Sequence, residues 1–361
     1  MPSLQVARAL VAKGHVASTI ELFGSRRGQE ATLWPTLEFP FTLLPGRGIR
    51  RSMSPGAVWA NVGAVLGLLW AALRSLASFV QRRPRVVVVV GGYAGFPAGL
   101  AAVLVRVPLV LVNTDAVPGA VNALLGRFAV ANAVAFPNTD LPRAHVTGTP
   151  VRPELGSLDR SVDGQRQARE MLGLPTLRLT VAAFGGSLGA RRINAAVADL
   201  AARWWDRDIS IYHVAGRRDF AQFAPAEANG GDVRGPGTAL HYQVVPFEER
   251  MPELYRAVDL CVCRAGAMTV AELLVAGVPA ILIPLPGAPR DHQTRNAQAL
   301  VAAGAAIVVP DGECTTARLE AEIGALLTDP DRLEAMGNAA RRLGHPDAAA
   351  RVAELVDAHA G

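Results

Sequence analysis

The sequence predicts an α/β protein made of two Rossmann-like, doubly wound halves that face a cleft. Three observations carry this. Apolar runs of four to eight residues alternate with helical patterns along the 361-residue chain, as parallel sheets buried on both faces require. The runs end in Gly- or Pro-containing turns. The series then restarts after Gly148-Thr149-Pro150, which divides it in two. The length matches roughly two domains. A content of 50% hydrophobic and 19% charged residues excludes a disordered chain. The 35 glycines and 25 prolines show no triplet period, which excludes a collagen-like chain. Cys261, Cys263 and Cys314 are too few for a disulfide scaffold, and a reducing compartment is expected.

In order along the first half, a helix is predicted at 2–13, then strands at Ser18–Phe23 and Phe41–Leu44 and a long helix at 56–81. Strands follow at Val86–Val90, Leu109–Asn113, Ala133–Phe136 and His145–Thr147. The second half predicts strands at Leu177–Phe184, Ile209–Ala215, His241–Val245, Leu260–Cys263, Ala280–Ile283 and Ala306–Val309. Its helices fall near 189–203, 250–257, 267–276, 291–303, 315–327 and 330–342. The first half opens on a helix, without the central strand and Gly-rich turn that normally feed it. Either the half is built without them or the recorded start lies downstream of the true one; the second is expected.

Charge is divided unevenly. Residues 1–150 carry +9 and residues 151–361 carry −4. A basic half suits an anionic surface or substrate, or nucleic acid. Lys13 is the only lysine, so part of the Arg excess reflects general composition. Residues 86–105 are uncharged over a length that could span a bilayer. Gly91-Gly92, Pro97 and the opening valines instead indicate a buried strand, a turn and a helix. No secretory signal is visible at the N-terminus, so a cytoplasmic orientation is expected. The helix 56–81 carries Trp59, Val62, Leu66, Leu69, Trp70, Leu73 and Phe79. It is flanked by Arg47, Arg50, Arg51, Arg74, Arg82, Arg83 and Arg85. Such a helix either lies on an anionic bilayer or is buried against the sheet.

Five stretches carry candidate chemistry. Gly185-Gly186-Ser187-Leu188-Gly189 follows a strand and opens a helix, where free N–H groups favour a phosphate. Arg264–Gly266 leads into a second helix start at Ala267-Met268-Thr269-Val270-Ala271. There Glu272 could accept the hydroxyls of a ribose or stand as a solvated helical acid. Pro286–Asn296 places Asp291, His292, Gln293 and Asn296 at a helix start suited to sugar hydroxyls, although Asp291 also fits an ordinary N-cap. Gly91-Gly92-Tyr93 lines the cleft from the first half. Asp115, at the next strand end, is a general-base candidate or a turn residue. His213 is cleft-lining or structural, and the cysteines read as structural. His292 has no second ligand at i+3 or i+4, so no metal site is predicted.

Together these stretches resemble the MurG family of GT-B glycosyltransferases. The resemblance rests on Leu44–Arg50 (LPGRGIR), Gly91–Ala98 (GGYAGFPA), Asp115–Gly119, Val146–Arg152 (VTGTPVR), Gly185–Asn194 (GGSLGARRIN), Arg264–Glu272 and Asp291–Ala297 (DHQTRNA). They span nearly the whole chain in the family's order, and a closing helix at 346–358 fits a GT-B return segment. The resemblance implies transfer of N-acetylglucosamine from UDP-GlcNAc to undecaprenyl-pyrophosphoryl-N-acetylmuramyl-pentapeptide (lipid I), giving lipid II for peptidoglycan synthesis. It implies residues 1–150 as the acceptor- and membrane-facing domain, 151–345 as the UDP-sugar domain and 346–361 as the returning helix. The donor set it implies is Asp115, Arg152, Gly185, Gly186, Ser187, Glu248 through its backbone, Ala267–Glu272, Gln293 and Asn296. Gly91, Gly92 and Tyr93 fall on the acceptor side, and Trp59, Leu66, Trp70, Arg74, Arg82 and Arg83 in a membrane patch. The enzyme would be peripheral, on the cytoplasmic face of the cell membrane, with no cofactor, metal or nucleic-acid partner. Two departures stand out. The family's N-terminal Gly-rich loop ending in a His is absent, and its His-Glu-Gln-Asn stretch reads Val112-Asn113-Thr114-Asp115. Alternatives are a UDP-sugar-binding protein without turnover, a transferase with a different acceptor, or a UDP-GlcNAc epimerase.

Overall fold

A computed structural model describes residues 2–26, 34–44, 55–186, 189–223 and 239–361, apart from the side chains of 55–60 and 93–94. The chain forms two units, Met1–Val151 with Pro346–Gly361, and Arg152–His345.

The first unit begins with α1 (Pro2–Ala12), β1 (Leu22–Ser25), β2 (Phe41–Leu44) and α2 (Pro55–Arg82). It continues with β3 (Val87–Val89), α3 (Gly92–Leu104), β4 (Leu109–Asn113), α4 (Ala120–Leu125), β5 (Ala131–Val134) and β6 (Ala144–Val146). The parallel pair β1-β2 is one sheet and the parallel series β3-β4-β5-β6 another. The stretch 86–105 is thus strand, turn and helix.

Two strand predictions need correction. Ser18–Phe23 does not start as a strand. Ala17–Thr19 is a 3-10 turn, in which the Thr19 hydroxyl donates to the Val16 carbonyl at 2.7 Å, and β1 begins only at Leu22. The strand expected at Ala133–Phe136 runs two residues earlier. It accommodates a buried Asn132 because that amide donates to the carbonyls of Gly126 (3.0 Å) and Pro142 (2.6 Å).

The second unit holds α5 (Val162–Met171), β7 (Leu179–Phe184), α6 (Arg191–Arg203), β8 (Ile209–Val214), α7 (Phe220–Phe223), β9 (His241–Val245) and α8 (Met251–Ala257). Then come β10 (Leu260–Cys263), α9 (Ala267–Ala276), β11 (Ala280–Leu282), α10 (His292–Ala302), β12 (Ala306–Val308), α11 (Thr316–Leu327) and α12 (Pro330–Leu343). Its six strands are parallel in the order β12-β11-β10-β7-β8-β9. The core is built from Val181, Ile193, Leu200, Ile211, Val244, Leu260 and Ile281. Helix α5 escaped prediction because its apolar face is short. It is held instead by the Ser161 cap on the Gly164 N–H and by buried Arg169, which pairs with Asp259 at 2.8 Å.

The closing helix α13 (Ala348–His359) belongs to the first unit. Val352, Ala353 and Val356 pack with Val6 and Leu10 of α1 and with Val110, Val112 and Ala133 of the sheet. Asp357 accepts from His15 at 2.7 Å and pairs with Lys13 at 3.3 Å.

Candidate functional site

Ligands of doubly wound sheets bind where the strand order reverses, at the carboxyl ends of the strands. In the second unit that point lies between β7 and β10, which are paired with Phe184 opposite Cys263. The two glycine loops singled out in the sequence therefore leave the sheet side by side. The first makes a turn that a side chain would obstruct. A Cβ on Gly185 would lie 2.2 Å from that of Ala190, and one on Gly189 would lie 2.2 Å from the Ala215 carbonyl oxygen. Gly186 and Gly189 have φ of +98° and +84°, the region where glycine alone is unstrained. Ser187 and Leu188 lie outside the described residues.

The second loop ends at Gly266, which carries no side-chain cap and has open space where a Cβ would stand. The first intrahelical bond of α9 runs from Val270 N–H to the Gly266 carbonyl. The N–H groups of Ala267, Met268 and Thr269 thus begin the helix with no intrahelical partner, an anion-binding arrangement. Arg264 secures this loop by donating to the carbonyls of Ile283 (3.1 Å) and Pro284 (3.2 Å) and to Asp311 (2.6 Å).

Glu272, in the second turn of α9, is not a solvated helical acid. Its side chain is 14% exposed, accepts from the Tyr255 hydroxyl at 3.0 Å and stands 3.7 Å from Arg152. Burial pushes its carboxyl above the usual range, and Arg152 and Tyr255 only partly offset this. Glu248 spends its carboxylate internally, on the Tyr212 hydroxyl and on the Arg250 backbone N–H (2.7 Å) and Nε (3.2 Å). Its main chain is what remains for a ligand.

On the third loop, Gln293 Oε1 accepts from Leu285 N–H at 2.9 Å. Asn296 is fully buried and donates to the Ala265 carbonyl at 3.2 Å. Through that bond it braces the loop before α9. Asp291 does not cap a backbone N–H; it accepts from the Thr294 hydroxyl at 2.7 Å. Arg290 and Asp291 both have positive φ, +56° and +53°, a costly conformation for such residues. His292 Nδ1 contacts the Pro289 carbonyl, and no metal-binding cluster occurs among the described residues.

His213 is structural. It is fully buried, with Nε2 at 3.0 Å from Asn194 Oδ1 and Nδ1 at 2.8 Å from the Tyr242 hydroxyl. Asn194 Nδ2 donates to the Ala215 carbonyl, so its oxygen faces Nε2–H, and Nδ1 accepts from Tyr242. This chain holds the carbonyl that abuts Gly189. Burial lowers the His213 pKa to about 4. The unfolded chain therefore binds one more proton than the folded one between about pH 4 and the ordinary value of 6.5. Stability present above 6.5 is expected to fall by about 3 kcal/mol as pH drops through this window. Urea titrations of wild type and His213→Gln check this: the variant's acid loss should be smaller by that amount. Cys261 and Cys314 are also buried, their thiols pushed up to about 12 and about 11.

In the first unit, Gly91 and Gly92 open α3 with φ of +67° and +73°. A Cβ on Gly91 would meet Asn122 at 2.9 Å. Asn122 donates to Asn113 (2.8 Å), which donates to the Asp115 carbonyl (2.6 Å), so one amide chain ties α4 to the loop after β4. The Tyr93 side chain lies outside the described residues. Nothing in the sequence pattern singles out Asn122 or Tyr255; each is recognisable only from its partners.

On α2, Ala64, Ala71, Ser75 and Phe79 are buried, while Val62, Leu66, Leu69, Trp70 and Leu73 are exposed. The helix is long and apolar enough to cross a bilayer, yet it packs against its own unit along one side. Arg74 and Arg83 are exposed, whereas Arg82 is paired with Glu21. The Trp59 side chain and Arg47, Arg50 and Arg51 lie outside the described residues.

Sequence models of the glycosyltransferase family 28 N-terminal and C-terminal domains match residues 1–134 and 180–352. Two curated UDP-N-acetylglucosamine–N-acetylmuramyl-(pentapeptide) pyrophosphoryl-undecaprenol N-acetylglucosamine transferases are similar over the full length. The Desulforudis audaxviator protein is 35% identical, over 100% of this chain and 95% of its own length. The Alkalilimnicola ehrlichii protein is 40% identical, over 98% and 94%. The crystal structure of Acinetobacter baumannii MurG superposes with a TM-score of 0.73 at 30% identity, covering 99% of this chain and 95% of that one.

Proposed function

The chain belongs to glycosyltransferase family 28, among the MurG transferases, and on that premise we propose that it transfers N-acetylglucosamine from UDP-GlcNAc to lipid I, yielding lipid II. The observation that carries this is the end-to-end likeness to relatives with that activity. The second unit takes the donor. The N–H groups that open α6 and α9 receive the diphosphate, Glu272 accepts the ribose hydroxyls, and Gln293 with the Glu248 main chain borders the sugar and base. Arg152 orients Glu272 and adds positive charge. The muramyl C4 hydroxyl attacks the anomeric carbon, the bond to UDP breaks with inversion, and charge grows on the departing diphosphate. Helix starts aimed at that charge stabilise the transition state more than the ground state. Asp115 is the carboxylate of the first unit nearest this chemistry in sequence logic, and we assign it the acceptor's proton.

Incubation with UDP-GlcNAc and a lipid I analogue tests the reading. The expected result is one UDP and one lipid II analogue formed together. UDP-sugar binding without product, or an isomerised sugar nucleotide without acceptor, overturns it.

The first unit takes the acceptor at a membrane surface. The exposed face of α2, with Arg74 and Arg83 beside it, lies on anionic lipid at the cytoplasmic side, where basic residues add about 1 kcal/mol each. Leu66→Asp/Trp70→Asp is expected to weaken binding to phosphatidylglycerol vesicles by at least about 100-fold, since two buried apolar side chains contribute about 1.5–3 kcal/mol each. Vesicle flotation checks this, and turnover of a short-chain soluble acceptor should be unchanged.

A further inference from the structure

Glu272 is held from two sides, and the two holds differ in kind. Its Oε1 stands 3.7 Å from an Arg152 nitrogen, beyond ordinary hydrogen-bond reach, on a side chain that is itself 34% exposed. Its Oε2 accepts from the hydroxyl of Tyr255 at 3.0 Å, and Tyr255 is fully buried. Tyr255 is fixed in turn. Its ring meets that of Phe184 edge-on, with centroids 6.2 Å apart, and Phe184 ends β7 directly before Gly185. Its main-chain carbonyl accepts from Arg160, which also donates to the Val258 carbonyl at 2.9 Å and so closes the carboxyl end of α8. Tyr255 thus touches both the strand that delivers the Gly185–Gly189 loop and the acid of α9. Packing does not call for its hydroxyl. A phenylalanine ring would fill the same space, whereas a buried hydroxyl is costly unless it is bonded. The bond that satisfies it is the one to Glu272.

Taking Glu272 as the ribose acceptor, we infer that Tyr255 is a positioning residue for the donor nucleoside. Its hydroxyl sets the rotation of the Glu272 carboxylate so that both ribose hydroxyls are read, and this makes the site selective for a ribonucleoside over a 2′-deoxyribonucleoside diphosphate. A carboxylate offers about four lone-pair positions. With one of them taken by Tyr255, the carboxyl plane is fixed and the rest face a pair of adjacent hydroxyls. A site that hydrogen-bonds a substrate hydroxyl rejects the analogue lacking it, because the acceptor is left unpaired. Among the described residues, Arg152 and Tyr255 are the charged or titratable groups that reach this carboxyl, and both favour its charged form against the effect of burial. Around Tyr255 stand Glu272 and the buried thiols of Cys261 and Cys263 on β10. With burial they raise the hydroxyl well above its ordinary value, so it remains a donor at neutral pH.

The test measures UDP and 2′-deoxy-UDP binding by calorimetry, from acid to neutral pH, for wild type, Tyr255→Phe and Glu272→Gln. Both nucleotides carry the same diphosphate, so the ratio of their affinities cancels its titration and any general change in the loops. Wild type is expected to favour UDP by about 30-fold at neutral pH, the worth of one hydrogen bond to a charged acceptor. Tyr255→Phe should cut that ratio by at least about fivefold. It should also move the pH at which the ratio collapses upward by about one unit, because the buried carboxyl, short of a donor, holds its proton more tightly. Glu272→Gln should show a low ratio at every pH. Equal weakening or loss of both nucleotides in Tyr255→Phe, or a ratio and pH midpoint that do not move, overturns the proposal and leaves the hydroxyl a packing role. A wild type that binds UDP and 2′-deoxy-UDP alike removes Glu272 from the ribose, and so overturns the donor assignment together with the proposal; the two failures are told apart by the wild type alone.

Discussion

Glu272→Gln is expected to raise the KM for UDP-GlcNAc about 100-fold at neutral pH with little change in kcat, because hydrogen bonds to a charged acceptor are each worth about 1.5–3 kcal/mol. The ribose lies away from the reacting carbon, so the loss is uniform binding rather than transition-state stabilisation. The same variant carries a pH signature. Burial raises the Glu272 pKa, so the wild-type KM should rise as pH falls and the carboxyl gains its proton. The variant's KM should be flat there. Stability moves the other way. A raised folded pKa means the wild-type contribution is fully present below the unfolded value and is lost as pH rises through the folded one. Glu272→Gln should therefore be at least as stable as wild type at neutral pH. Initial rates across pH, with thermal melts in the same buffers, separate these effects. An unchanged KM, or a KM rise matched by a fall in melting temperature, would remove Glu272 from the donor site.

Gly189→Val is expected to destabilise the second unit by about 2–4 kcal/mol and to abolish measurable UDP binding, because its Cβ cannot coexist with the Ala215 carbonyl and its φ is positive. Gly186→Ala is the control. Its φ is also positive, yet open space surrounds the added carbon, so only backbone strain of about 1–2 kcal/mol should appear. Urea unfolding and calorimetry with UDP distinguish a steric loop from a merely strained one. Equal losses in both variants would show that the contact with Ala215 is unimportant.

The sheets were legible because buried parallel strands are written as uninterrupted valine, leucine and alanine runs, such as Leu109–Asn113 and Leu260–Cys263. The Gly185–Gly189 loop was legible for a related reason: a backbone turn that excludes a side chain leaves glycine as its record. What stayed hidden depends on partners distant in sequence. The bond from the Asn296 amide to the Ala265 carbonyl, and the Tyr255 hydroxyl and Arg152 beside Glu272, join residues that no local pattern connects. Asn132 interrupts an apolar run, so β5 was shifted by two residues. Whether α2 is covered depends on tertiary packing, which periodicity alone does not contain.

The return of α13 to α1 has a consequence for synthesis on the ribosome. Domains usually mature from the amino end as they emerge. Here the first unit draws its last layer from Pro346–Gly361, while the second is contiguous in sequence. The order of maturation is therefore inverted: the later-made unit can close while the earlier-made one waits for release of the chain, its apolar face on Val110 and Val112 bare until Val352 and Val356 arrive. Premature termination near the end of the message would leave a finished second unit attached to an unfinished first one.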